Sequence, residues 1–299
     1  MTAVVSERWI GVTESATDYH GRERPDMATD PPKEFYSISD AGAQHTYVGV
    51  RRAAQWAGFF LPHLRPGFSV LDCGCGVGSI TLDLAEQVAP GQVVGIDVDE
   101  SQLAVARQMA VERGLANVAF QQGNVYALTF EDGTFDAVLA HTLLIHLSDP
   151  LRALREIRRV LKPGGLAGIS DDDWRTITFA PAHPLMEKIA NLWTQVMRHN
   201  GGDPYYSRHL RALLLQAGFA RTEGHAVAAD YYGNLEETRR LARIQTRMFR
   251  NPDMVELITN QGWATQAEID EIVDWVQQWG ECPDAFLALM YCAAVGWTE

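Results

Sequence analysis

Phe68-Ser69-Val70-Leu71-Asp72-Cys73-Gly74-Cys75-Gly76-Val77-Gly78 is the stretch whose reading decides this fold. Phe68 to Leu71 read as a short buried strand that runs into a glycine-rich turn. Ile80, Leu84 and Val88 follow at i, i+4 and i+8, the spacing of one helical face. Glycines at 74, 76 and 78 let the backbone bend tightly and approach a ligand with no Cβ in between. The N–H groups there and at the helix start offer donors to a polar ligand. A tight strand-to-helix turn that holds nothing is the other reading of the same residues.

Outward from this stretch the chain alternates. Val93 to Ile96 reads as a second strand ending at Asp97. Asp99 is placed to cap the next helix, with Gln102 three residues on to close a capping box. Val118 to Phe120 and Phe135 to Ala140 read as the third and fourth strands. Asp149-Pro150 supplies an N-cap and first residue for a helix through Val160. Lys162-Pro163-Gly164-Gly165 stops that helix, and Leu166 to Ile169 is a fifth strand. Such alternation implies a parallel sheet with right-handed crossovers. Upstream, an apolar helical pattern runs from Tyr47 to Leu61, preceded by a polar, proline-punctuated arm. Downstream, helices are expected over 182–199, 207–217, 235–249, 253–260 and 266–279, with one or two strands within 219–232. The apolar run 285–295 admits helix or strand, and suits a buried final strand.

Composition narrows the classes. The chain has 299 residues, 46% hydrophobic, enough for a core. A net charge of −13 argues against wrapping a nucleic-acid backbone. The one dense basic run, Arg239, Arg240, Arg243, Arg247 and Arg250, has helical spacing and reads as a solvated face. Cys73, Cys75, Cys282 and Cys292 lack metal-type pairing and read as reduced thiols of a cytoplasmic protein. No signal peptide or membrane span is expected.

Asp97 lies at the end of the second strand, about twenty residues beyond the glycines, where a carboxylate can accept both ribose hydroxyls of a nucleoside. With it, the successive motifs Val70 to Gly78, Gly95-Ile96-Asp97, Gln122 to Val125, Thr134 to Val138 and Leu161 to Gly165 resemble those of class I S-adenosylmethionine-dependent methyltransferases, in their type 11, ubiquinone/menaquinone-biosynthesis-like group. The stretches His141 to Pro150, Asp171 to Trp174, and Gly201-Gly202-Asp203 to Gly218-Phe219 are more loosely similar to the dithiol-methylating enzymes of epidithiodiketopiperazine pathways.

The resemblance implies an α/β sandwich with a mostly parallel seven-stranded sheet, residues 285–295 forming its antiparallel last strand. The polar, proline-punctuated start reads as an arm or lid over 1–45, ahead of a methyltransferase domain over 46–299 with cap insertions near 182–203 and 234–281. S-adenosylmethionine is the expected cofactor. Gly74, Cys75 and Gly76 would carry its methionine end through backbone atoms, and Asp72 its ammonium. Arg51 would reach the carboxylate, unless it is a surface arginine. Asp97 would hold the ribose and Val98 the adenine face, with Gln102 beside them. Asn124 and Val125 would border the adenine edge; Asn124 stands where the family usually has aspartate. Tyr36 would cover the cofactor. His141 and His146, after the fourth strand, are candidate general bases, His141 also touching the cofactor. Asp173 and Trp174 are candidates to face the acceptor. An aromatic-rich cap suits an apolar or aromatic small molecule of secondary metabolism. No metal, nucleic acid or membrane partner is expected, and a homodimer is left open. A cofactor-binding protein that transfers no methyl, and a nicotinamide dehydrogenase, are the alternatives; the latter's fingerprint wants glycine where Ser79 stands.

Overall fold

The computed structural model describes Gly49 and residues 51–299. The expected arm over 1–45, with Tyr36, lies outside the described residues.

Strands β1 (Val70–Cys73), β2 (Val93–Asp97), β3 (Val118–Gln122), β4 (Phe135–His141) and β5 (Leu161–Asp172) pair in parallel in the order 3-2-1-4-5. Every residue of β1 is buried, as a central parallel strand covered on both faces requires. Three further strands complete the sheet: β6 (Thr178–Ala180), β7 (Arg221–Tyr232) and β8 (Phe286–Trp297). β8 runs antiparallel between β5 and β7, so the ambiguous apolar run is the buried last strand. Among the described residues the sheet has eight strands, the seven expected and one short addition. The addition is β6, which pairs with Phe286 to Ala288 on the edge that β5 vacates.

Two local expectations change. The helix before Lys162 to Gly165 ends at Val160 as expected, but β5 begins at Leu161 and that run bulges within it; Leu161 pairs with Phe135 and the register resumes at Leu166. The bulge is tied to the C-terminus, where the Gly164 N–H donates to the Glu299 carbonyl and the Thr298 N–H to that of Gly165. The pattern over 47–61 gives only a short helix in its described part, α1 (Ala53–Trp56). Gly58 follows it, and Phe60 turns flat onto the sheet, where a Cβ on Gly168 would lie 2.4 Å from its ring.

Helices α2 (Ser79–Val88), α3 (Glu100–Glu112) and α4 (Pro150–Val160) fill the crossovers. One core packs α4 and a later helix, α6 (Leu210–Gln216), on one face through Leu154, Ile157 and Leu214. The other packs α2 and the Trp56 to Phe60 segment on the opposite face.

A separate cluster holds the cap together: α5 (Pro184–His199), α7 (Leu235–Phe249), α8 (Pro252–Asn260) and α9 (Gln266–Gly280). Their starts are capped by His183, Asn234, Asn251 and Thr265, the last closing a capping box with Glu268. Gly280 lets α7 and α9 approach, since a Cβ there would lie 2.5 Å from that of Ala242.

Candidate active site

The order 3-2-1-4-5 reverses direction between β1 and β4, and ligands of open α/β sheets bind at the carboxyl ends of strands at such a switch. The Gly74 and Cys75 N–H groups fold back to the Ile96 carbonyl at 2.8 and 3.0 Å. Gly74, Gly76 and Gly78 all have positive φ. At Gly78 the reason is packing, because a Cβ would meet Phe120 at 2.8 Å and Ala106 at 2.9 Å. At Gly76 a Cβ would meet nothing within 4 Å among the described residues, so none of them fills the space the backbone faces there.

Asp97 is locked to this loop. Its carboxylate accepts from the Gly76 N–H at 2.9 Å and from the Asp99 N–H at 3.0 Å. A carboxylate has about four acceptor positions, so each oxygen keeps capacity for a hydroxyl. Burial raises its pKa, opposed by those backbone donors. Val98 beside it is 63% exposed, an apolar surface open to a flat partner. Asp72 is buried at the end of β1 and accepts from the Thr81 hydroxyl at 2.6 Å. Burial pushes its pKa up to about 7; Thr81 opposes the rise and Asp97 adds to it. A ligand ammonium would compensate this carboxylate.

Gln102 corrects an expectation. Asp99 caps α3 through the Ser101 N–H, but no capping box forms. The Gln102 side chain is instead 2% exposed, and neither its amide oxygen nor its nitrogen has a partner among the described residues. An orphaned buried amide is costly unless a ligand satisfies it. Asn124 is exposed and turns its Oδ1 to the Tyr126 N–H at 2.9 Å, while Val125 is buried beside it. That bond takes one acceptor position of the Asn124 oxygen and leaves the amide N–H₂ as a donor.

Arg51 is no surface arginine. It is 4% exposed and stacks over Trp56 at 4.2 Å. Its guanidinium donates to His141 Nε2 at 3.1 Å, Thr142 Oγ1 at 3.2 Å and Tyr291 Oη at 3.3 Å. Thr142, directly after β4, carries φ +52, a costly conformation for a β-branched residue and one that collects at functional sites. Trp56, Thr142, Tyr291 and Thr81 were not singled out from sequence. Tyr291 is 240 residues from Arg51, and nothing local marks such a partner.

This cluster recasts His141. Arginine only donates, so His141 Nε2 is the acceptor and Nδ1 carries the proton. That Nδ1 is buried with no partner among the described residues. Burial and the Arg51 charge hold the pKa well below the usual histidine value. A base needs a free lone pair and a tolerable cation; His141 has neither, and presents a donor. Burial lowers His146 to about 4, which leaves it a weak base.

The acceptor candidates separate. Asp173 is committed elsewhere, with a two-pronged ion pair from Arg208 at 2.7 Å on each oxygen and the N-cap bond from Arg175 N–H. Strand alternation puts its neighbour Asp172 into a cavity of about 80 Å³ with Trp174, Trp193, Tyr232 and Trp279. The Trp174 indole N–H donates to Asp172 Oδ2 at 2.9 Å. Asp172 is the register partner of Tyr291, which joins the cavity to the Arg51 cluster.

Among the described residues no group of three or more His, Cys, Asp or Glu is placed to hold a metal, and no helix is long and apolar enough to cross a membrane. The open backbone at Gly76, the buried Asp72 and the orphaned Gln102 amide fit a ligand with a cationic amine, a ribose and a heterocycle, as S-adenosylmethionine has.

Comparison with known proteins agrees. A family profile described as a methyltransferase domain matches residues 64–238. A protein of Aspergillus luteorubrus named "Probable methyltransferase ltbC" is 29% identical over 287 residues, covering 90% of this chain and 98% of that one. Demethylmenaquinone methyltransferase of Lactococcus lactis subsp. lactis is 41% identical over 121 residues, 40% of this chain and 44% of that enzyme. The solved YcgJ protein of Bacillus subtilis shares the fold, with TM-score 0.53 and 23% identity over 81% of this chain and 97% of that one. The nicotinamide-dehydrogenase reading of the glycine turn falls with these matches. The chain belongs to this methyltransferase family, and is an S-adenosylmethionine-dependent methyltransferase.

Proposed function

We propose that the enzyme methylates an apolar or aromatic small molecule of secondary metabolism whose reacting end enters the cavity at the end of β5; at about 80 Å³ the cavity admits that end and not the whole molecule. The observation that carries this is the cavity's lining, four large aromatic side chains around one carboxylate, Asp172. Aromatic walls recognise a planar apolar body, and a single polar group fixes its orientation.

S-adenosylmethionine, when bound, supplies a methyl group on a sulfonium. The chain's residues then have positional tasks. Asp72 takes the ammonium, and Arg51 with the His141 Nδ1–H takes the carboxylate. Backbone at Gly74, Cys75 and Gly76 lies along the methionine end. Asp97 accepts the ribose hydroxyls. Val98, Gln102, Asn124 and Val125 surround the adenine, with the Asn124 amide as donor to a ring nitrogen. Asp172 accepts the proton of the nucleophilic group, a role its place in the cavity favours over either histidine.

The test is S-adenosylhomocysteine production against a panel of phenols, thiols and amines of graded size, repeated with Trp193→Ala. The variant should raise the acceptor KM by roughly tenfold, as the loss of a buried aromatic contact implies. Its affinity for S-adenosylhomocysteine should stay at the parental value. An unchanged acceptor KM places the acceptor elsewhere.

A further inference from the structure

We propose that the groove between α7 and α9, on the outer side of the cap, binds a multiply charged, phosphate-bearing small molecule. The basic run that reads in sequence as a solvated face lines a concavity of about 680 Å³, a size in the range of small-molecule sites. Arg239, Arg243, Arg247 and Arg250 recur at i, i+4, i+8 and i+11 and converge on it, with Glu281 the one acidic residue among the described residues of its lining. Like charges at i, i+4 on one helix repel, each pair costing about 0.2–0.5 kcal/mol. A stripe of them along one groove concentrates positive potential there, opposite in sign to the chain's net charge of −13.

Three further features point to an anion. Asn251 and Pro252, the first residues of α8, enter the groove and bring its N-terminal dipole. Thr246 lines it too, and its buried hydroxyl has no hydrogen-bond partner among the described residues. Glu281 pairs with Arg239 through three hydrogen bonds and its charge also reaches Arg243, so in the described lining one carboxylate faces four guanidinium groups. Guanidinium forks match phosphate oxygens in pairs, which makes a phosphate group the anion this lining suits. The concave shape favours a small molecule over a flat acidic protein face, and the net charge disfavours a nucleic acid.

The experiment is calorimetric titration of the full chain at near-physiological salt, with saturating S-adenosylhomocysteine to block the adenine site. The probes are inorganic phosphate, tripolyphosphate and ATP. Tripolyphosphate and ATP should bind, and more tightly than inorganic phosphate; ATP tighter than tripolyphosphate would mark a nucleotide, equal affinity a bare polyphosphate. The double variant Arg243→Gln, Arg250→Gln should weaken them by about tenfold or more. Its melting temperature and its affinity for S-adenosylhomocysteine should match the parent. Arg65→Gln, an exposed arginine elsewhere, should change nothing. The proposal is overturned if no probe binds below about 10 mM, if the double variant binds as the parent does, or if Arg65→Gln weakens binding equally. None of these outcomes depends on methyl transfer or on the acceptor.

Discussion

At the carboxyl ends of β1 and β2 the groups proposed to face the cofactor are backbone atoms and a carboxylate fixed by backbone: Gly74 to Gly76, and Asp97 held by two N–H groups. In the cavity beneath the cap the groups proposed to face the acceptor are side chains, Trp174, Trp193, Tyr232 and Trp279, each delivered by a different element. A cradle made of backbone recognises the same ligand whatever side chains surround it. A cavity made of side chains changes its occupant with one substitution. The first construction suits a cofactor shared by a family, and the second an acceptor peculiar to one enzyme.

The largest expected effect tests whether the two regions divide chemistry from binding. Asp172→Asn keeps an acceptor oxygen for the Trp174 indole but removes the proton-accepting charge. Turnover should fall by ~10²–10⁴-fold, the usual worth of a positioned base, with little change in cofactor affinity. His141→Ala should do the reverse, raising the KM for S-adenosylmethionine while kcat declines less. If Asp172→Asn keeps parental turnover and His141→Ala loses it, the base lies in the cofactor cleft and the division fails.

The same contrast explains what the sequence made legible. The glycine turn and Asp97 could be read because their chemistry is local: a strand end, a turn and an acid at a fixed distance. Asp173 was singled out one residue from the carboxylate that enters the cavity, because the run Asp171 to Asp173 does not declare which face each side chain takes. The choice is made by β8, whose Tyr291 sits opposite Asp172. Arg51 was legible as a candidate but its setting was not, since His141, Thr142 and Tyr291 come to it from 90, 91 and 240 residues away. Gln102 was read as a capping residue because the local partner was in view and the buried environment was not.

A middle-sized effect comes from Asp72, the second carboxylate of the cofactor cleft beside Asp97. Its pKa stands at about 7 in the ligand-free protein because burial disfavours the carboxylate. An ammonium beside it favours the ionised form, so binding below that value must release a proton. Affinity for S-adenosylhomocysteine should therefore weaken by about tenfold per pH unit as pH falls below 7, and level off above it. Stability runs the other way. A pKa raised from 3.8 to about 7 gives a contribution fully present below the lower value and lost as pH rises through the higher one. Titrations and melts between pH 5.5 and 8.5, on the parent and Asp72→Asn, check both signs. The variant should bind weakly with a flat profile. A parent profile as flat as the variant's would mean that Asp72 does not face the ammonium.

The smallest effect asks whether the cleft is polarised for a ligand at a cost to the empty protein. The buried Gln102 amide has no partner among the described residues, although it occupies the first turn of α3 beside Asp97 and Val98. A buried amide without hydrogen bonds destabilises by about 1–3 kcal/mol, and an apolar side chain of similar volume removes that penalty. Gln102→Leu should therefore raise the melting temperature of the ligand-free enzyme by a few degrees, on the order expected for 1 kcal/mol in a chain of this size. If the amide serves the adenosine, the extra stabilisation that S-adenosylhomocysteine gives the parent should shrink in the variant by a similar amount. The two shifts have opposite signs, and both come from one thermal-melt series with and without ligand. A higher melting temperature with the ligand shift intact would mean that Gln102 is buried polarity without a ligand role. A lower one would mean that the amide has a structural partner, and that the cleft's polarity supports the fold before any ligand arrives.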